Sequence, residues 1–320
     1  MRMLIKSFRP WLILSLALTL GTRVPVIALA ETPPAPSPPS EVPQPTGEEI
    51  IKRSNQLLDK FGDQRNKVML SLIEKTGTKK EVVAWRYWKN YHNQDGFSSK
   101  TIIFTESSTA SLRANFLIWN YATLGKEPDT WIYLSPLLAP RFKPCLISAS
   151  GQTVQYRCYH DSNDAFLDSD LSFGDGSQRQ VDEDSHQRVG EESFRGIVCF
   201  IVESIPKEEE TVYSKRRKWV SESDYTMQKV DYYDLNGKPM KRQIIDWQTL
   251  KQKEGEFYVW KRSEIVNLQN GHQTILELSD VDVNIGLVDE DFTEKTLKKS
   301  RETFEEQLEA RSARKQFYQK

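Results

Sequence analysis

Period-two alternation of apolar and polar side chains, repeated run after run from about residue 67, is what most limits the folds open to this sequence. VVAWRYWKNYH (82–92) puts Val83, Trp85, Tyr87 and Tyr91 on one side, and TIIFTES, ANFLIWNY and DTWIYLSP follow in the same style. The pattern resumes in RGIVCFIVESIP (195–206), TVYSKRRKWV (211–220), MQKVDYYDLNGKPMKRQIIDW (227–247), EFYVWKRSEIVNL (256–268) and QTILELSDVDVNI (273–285). Turn signals separate the runs: Asp95-Gly96, Gly125-Lys126-Glu127-Pro128, and the hairpin pair Asn236-Gly237. In the last run Leu276 and Leu278 share one face while Val281, Val283 and Ile285 have the opposite parity, which a bulge near Ser279-Asp280 reconciles. No long helical pattern alternates with the strands, so a parallel α/β sheet is excluded. The expectation is a mainly β (α+β) protein: a strongly curved, mostly antiparallel sheet or open barrel with a helix against it.

The flanks read differently. MRMLIKSFRP, the apolar WLILSLALTLG and Ala28-Leu29-Ala30 form a secretory signal peptide over 1–30, with Glu31 the expected first mature residue. The apolar run is short for a membrane span, and an uncleaved anchor is the alternative. Residues 31–45, ETPPAPSPPSEVPQP, are a proline-rich, extended linker. Thr46 and Glu49 then make a capping box ahead of Ile50, Leu57, Leu58 and Phe61, which predicts an amphipathic helix opening a domain over 46–297. The tail, 298–320, is charged all round with sparse Phe304, Leu308 and Phe317, and reads as a solvated helix or as disorder, with a partner-binding helix as the lesser reading.

Charge removes one class of function. Lys plus Arg number 44 against 45 Asp plus Glu, so no field draws nucleic acid to the surface. The three cysteines, Cys145, Cys158 and Cys199, allow a Cys145–Cys158 disulfide in an oxidising compartment, or three small buried hydrophobes. Nucleophile-elbow, zincin, C-x-x-C and P-loop motifs are absent and His92, His160, His186 and His272 are scattered, so the residues name no catalytic centre, metal or cofactor. His272, following Gly271, reads as a solvated turn residue. AFLDSDLSFGDG (165–176) holds a calcium-like spacing at Asp168 and Asp170, but Ser172, Phe173 and Arg179 stand where a third ligand, a glycine and a glutamate are needed. Its expected role is structural: Phe166, Leu167, Leu171 and Phe173 anchor an irregular crossing, while Asp168, Asp170 and Asp175 cap turns or pair with cations such as Arg141. Asn at 168 and 175 is then expected to change little. DGSQRQVDEDSHQR (175–188), with Asp182, Glu183, Asp184 and His186, reads as a solvated charged loop.

ANFLIWNY, GKEPDTWIYLSPLLAPRF and FLDSDLSFGD, in that order, resemble the LolA-like outer-membrane lipoprotein-sorting proteins, and CFIVESIPK, KVDYYDLNGKPMK and VNIGLVDEDFTEKTL extend the likeness over roughly 48–297. Pro144-Cys145-Leu146 and the charged tail depart from the pattern. The resemblance implies an incomplete antiparallel β-barrel with helices covering its concave face, a periplasmic location, and an apolar cavity that shields lipoprotein or lipid acyl chains between envelope membranes. Such shielding has a direct cause, since each exposed CH₂ costs about 0.8 kcal/mol in water. Partners would be acyl chains, an inner-membrane transporter and an outer-membrane acceptor, with no cofactor. Trp85, Tyr87, Phe116, Ile118, Trp131 and Tyr133 are the candidate cavity wall, each also an ordinary core residue in the alternative. Two other roles stay open: an accessory protein docked on an envelope transporter or assembly, and an enzyme acting on envelope lipids.

Overall fold

The chain opens as the capping box dictates. Thr46 accepts from the Glu49 amide and the Glu49 carboxylate accepts from the Thr46 amide, starting α1 (Gly47–Gln56), which buries Ile50 and Ile51. The helix stops at Gln56, so Leu57, Leu58 and Phe61 follow it rather than extending its apolar face. The structure, a computed structural model, describes residues 44–106, 114–134, 147–148, 155–158, 165–176, 179–207, 212–252 and 255–318. The signal peptide, the linker up to Pro43, Arg141 and Cys145 lie outside them, and with Cys145 the expected disulfide. Cys199 is a free, buried thiol.

Among the described residues there are fourteen antiparallel strands, the alternating runs among them. They are β1 (Asp63–Ile73), β2 (Lys79–Asn90), β3 (Phe97–Thr105), β4 (Ala114–Tyr121), β5 (Asp129–Leu134), β6 (Ile147–Ser148), β7 (Gln155–Cys158), β8 (Asp184–Phe194), β9 (Ile197–Pro206), β10 (Lys215–Ser221), β11 (Met227–Tyr233), β12 (Pro239–Gln252), β13 (Gly255–Asn267) and β14 (Gln273–Val283). They join in one open, curved sheet of order β6-β7-β5-β4-β3-β2-β1-β14-β13-β12-β11-β10-β9-β8. Among the described strands only the pairings of β1 with β14 and of β5 with β7 are not between sequence neighbours, so the described sheet is mostly a meander closed by local turns. Gly96 and Gly237 take the positive φ that the expected Asp-Gly and Asn-Gly turns require. The bulge is where parity placed it: Arg65 faces Asp282 but Lys67 faces Ser279, leaving an extra residue on β14, with Asp280 at φ 49°.

Register sorts the side chains onto two faces. On one lie Val82 and Ala84 of β2, Ile103 of β3, Phe116 and Ile118 of β4, and Leu70 and Leu72 of β1. This face is covered by α1 at the β8–β10 end and by the crossing segment 165–176 in the middle. On the other lie Trp85 and Tyr87, Ile102 and Phe104, Leu117, Trp131 and Tyr133. After β14, Asp63 accepts hydrogen bonds from the amides of Ile285, Gly286 and Leu287, which turns the chain towards α2 (Glu294–Leu297) and α3 (Arg301–Tyr318). Phe292, Leu297 and Phe304 then bury themselves on this second face.

Three expectations are corrected here. The tail is a helix, largely exposed, but it is not solvated all round: Phe304 is fully buried against Tyr87 and Phe104, so packing runs on past the expected boundary at 297. The stretch to 188 is not a solvated loop, because β8 begins at Asp184, which is buried and bonded by Arg179, and His186 is bonded to Ser204 on β9. His272 is not a solvated turn residue, for its imidazole is bonded to Asp170.

Candidate functional site

The six candidate wall residues do not line one space. Strand alternation sends Phe116 and Ile118 to the face under the crossing segment, and Trp85, Tyr87, Trp131 and Tyr133 to the face under α3. The second set is sealed by regular structure. Tyr87 stacks edge-on against Phe304 at 4.8 Å and its hydroxyl donates to Glu305 Oε1 at 2.6 Å; burial first, then Glu305, pushes its pKa up. Trp85 lies under the guanidiniums of Arg65 and Arg301. Asp291, fully buried, is bonded by Arg311 at 2.6 and 2.9 Å.

The first set meets a different cover. Phe166 packs on Phe116 with ring centroids 5.3 Å apart, and Phe173 stands edge-on to Phe166 at 5.4 Å. Leu167 bridges two apolar patches, the one around Ala84, Ile103 and Phe116 and the one around Leu70, Leu72, Val82 and Leu276, and Leu171 adds to the second. None of this cover is regular structure beyond a single 3-10 turn (166–168), in which Leu167 and Asp168 both take positive φ, a conformation strained for residues with a Cβ.

Polar contacts hold the segment down. Asp170 accepts from the Thr274 hydroxyl at 2.7 Å and from His272 Nδ1 at 2.6 Å, while its own amide donates to the Thr274 oxygen. Asp175 Oδ2 accepts from Lys241 at 2.6 Å, Tyr213 at 3.0 Å, and the Ser172 amide and hydroxyl at 2.9 Å each. Burial opposes ionisation of Asp175, but the Lys241 ammonium wins and holds the carboxyl below its ordinary range. Asp168 and Asp175 are therefore not equivalent turn caps: Asp168 is exposed, and Asp175 is half of a buried ion pair. A cleft of about 480 Å³ opens beside this tether, with Lys75, Ser169, Asp170, Tyr213, Lys241 and His272 among its walls.

Farther along the same face the interior turns polar. A lateral row crosses five strands, Lys241 beside Tyr232, Arg216, Ser204 and His186. The Val181 carbonyl can only accept, so His186 Nε2 carries a proton, and when the ring is neutral Nδ1 accepts from the Ser204 hydroxyl. Burial, then the nearby Lys218 ammonium, lowers its pKa to about 4. Asp184 takes Arg179 at 2.8 and 3.2 Å; burial opposes its charge, and Lys218 and Arg179 restore it. Sequence reading missed this row because its members come singly from separate strands. The one signal was the run Lys215-Arg216-Arg217-Lys218, which alternation splits: Arg216 and Lys218 turn inward, while Lys215 and Arg217 bind Glu203 on the opposite face. Among the described residues no cluster of three or more His, Cys, Asp or Glu could hold a metal, and no helix is long and apolar enough to cross a membrane.

A family model described as that of an uncharacterized protein matches residues 98–299. No protein with a curated description matches the chain. Three solved structures share the fold. A DUF1329 family protein from Desulfovibrio piger is 24% identical with TM-score 0.67, over 79% of this chain and 98% of that one. A protein assigned as an outer membrane lipoprotein-sorting protein domain, from Vibrio parahaemolyticus, is 20% identical with TM-score 0.63, over 78% and 98%. A LolA superfamily protein from Nitrosomonas europaea is 14% identical with TM-score 0.57, over 79% and 100%.

Proposed function

Because the chain belongs to the DUF1329 family, whose model spans more than half of it, and folds as LolA superfamily proteins do, we propose that it is an exported carrier that shields acyl chains of lipids or lipoproteins. Its place is the periplasm after removal of residues 1–30, and its task is transfer from an inner-membrane donor to an outer-membrane acceptor, the setting for which the similar Vibrio protein is named. The observation that carries this reading is the cover over Phe116 and Ile118. An apolar sheet face is closed there by an irregular, strained segment that contributes four apolar side chains, Phe166, Leu167, Leu171 and Phe173.

Magnitudes make the exchange feasible. Burying such a side chain fully is worth about 1.5–3 kcal/mol, so buried Phe173 and partly buried Phe166, Leu167 and Leu171 contribute on the order of 4–9 kcal/mol together. An acyl chain of about a dozen CH₂ groups gains roughly 10 kcal/mol on the same surface at ~0.8 kcal/mol each. On apolar area alone, a chain can therefore replace the segment.

A fluorescent fatty-acyl probe titrated into the mature protein tests this. Ile118→Glu, partly buried, should weaken binding by about tenfold or more, since an unpaired carboxylate in an apolar site costs several kcal/mol. A paired Phe166→Ala, Phe173→Ala variant should bind more tightly, because the probe then has less to displace. Circular dichroism and a melting curve establish that each variant is folded. Absence of binding by the wild type, or binding unmoved by all of these changes, overturns the carrier reading.

A further inference from the structure

Arg216 and Lys218 sit two residues apart on β10 and face the covered interior. The Arg216 side chain is 8% exposed, and its guanidinium is fixed against the rings of Tyr213 and Tyr232, at 4.7 and 5.9 Å from their centroids. Its Nη1 is buried without a hydrogen-bond partner. Lys218 is 10% exposed along its side chain. The carboxylate between them, Asp184, is already bonded by Arg179, and its Oδ2 stands 4.0 Å from Arg216 and 3.9 Å from Lys218, outside hydrogen-bond reach. Buried N–H groups are almost always satisfied, and leaving charged ones unmet is costly. Cationic donors that converge on one carboxylate without reaching it, one of them buried with an unsatisfied N–H, describe a receptor for an acceptor-rich group.

We propose that Arg216 and Lys218 form an oxyanion site that takes the phosphate or carboxylate headgroup of an anionic amphiphile. The inference rests on the carrier reading: acyl chains occupy the apolar half of the face around Phe116, and the headgroup occupies the cationic half. The two halves are continuous. Tyr213 and Lys241 line the cleft beside the crossing segment, Tyr213 stacks directly on Arg216, and Lys241 is the neighbour of Tyr232 in the lateral row. Burial depresses Lys218 to about 8, which leaves it charged at neutral pH but held there unfavourably until an anion arrives. Arg217 and Lys215 do not contribute, being paired to Glu203 on the other face.

Isothermal titration of the mature protein with dioctanoyl phosphatidic acid, dioctanoyl phosphatidylcholine and inorganic phosphate, each below micelle-forming concentration, tests the site. The acidic lipid should bind about tenfold tighter than the phosphocholine lipid, and Lys218→Met and Arg216→Gln should bring the two within about twofold while leaving the phosphocholine affinity in place. Equal affinity for both lipids in the wild type, unmoved by Lys218→Met, means that water fills the gap; the headgroup site is then overturned and the carrier reading stands. Binding of phosphate but neither lipid, lost in Lys218→Met, overturns the carrier reading and the lipid source while keeping the oxyanion site. No binding of any of the three overturns both. Because Arg216→Gln removes a stacked side chain, the Lys218→Met result decides where that variant does not fold.

Discussion

The two faces of this sheet are built from the same alternating strands and covered by different means. On one, α2 and α3 lay down an interior of aromatic rings sealed by Arg311–Asp291 and Tyr87–Glu305. On the other, a strained crossing segment rests on Phe116 and aliphatic side chains and is tied by Asp170 and Asp175 to polar partners. A helix brings its backbone hydrogen bonds with it and can stay in place for packing alone. An irregular segment has to borrow its hydrogen bonds from the sheet, so it is released once those few tethers are broken. On the proposed carrier role, the α3 face would supply stability and the segment face ligand exchange.

The comparison is broken most directly at Phe304. This side chain is fully buried among Tyr87, Phe104 and neighbouring aromatics, so Phe304→Ala should cost about 3–5 kcal/mol. Denaturant melts would report that loss, while the acyl-probe affinity of the folded fraction should stay within about twofold of wild type. If Phe304→Ala instead raised probe affinity as the Phe166, Phe173 pair is expected to, the α3 face would be the ligand face.

Lys218 sharpens the other side of the comparison, because a site kept for a ligand is expected to harm the empty protein. Its folded-state pKa is lowered from 10.5 to about 8, first by burial, with Asp184 opposing. Between these values the unfolded chain holds a proton that the folded chain releases, so folding stability should rise with pH across that window and be lowest below pH 8. Lys218→Met removes the cost and should stabilise the ligand-free protein by up to about 3 kcal/mol at neutral pH, abolishing the alkaline rise. Destabilisation by Lys218→Met would mean that the lysine supports the fold through Asp184, and the proposed headgroup site would lose its support.

Local chemistry was legible in the sequence, and facing was not. The Thr46–Glu49 box, the Asp95-Gly96 and Asn236-Gly237 turns and the bulge at Ser279-Asp280 were readable because each is decided within a few residues. Alternation showed that Phe116 and Trp131 lie on strands, but a period of two does not say which parity meets which cover, and that decision falls to elements far away in the chain. Hence the candidate wall joined residues from opposite faces. Phe304 was misread for a related reason: two apolar residues four apart in a charged helix are enough to dock it when the sheet already offers Tyr87 and Phe104. Asp175 looked like a turn residue because its partner, Lys241, is sixty-six positions away.

The smallest expected effect sets where the α3 face ends. Along α3, Phe304 is buried, Leu308 packs beside it, and Arg311 reaches back to Asp291, but Phe317 is 78% exposed. Because Phe317 is mostly exposed, Phe317→Ala should change stability by less than about 0.5 kcal/mol. Arg311→Ala, by contrast, strands a fully buried Asp291 carboxylate and should cost several times more, since removing one partner of a buried pair leaves an uncompensated charge of about 3–5 kcal/mol. Urea midpoints at constant slope separate the two. A Phe317→Ala loss comparable to that of Arg311→Ala would mean that the whole helix is cover, and the sealed face would extend farther than Leu308 and Arg311 now mark it.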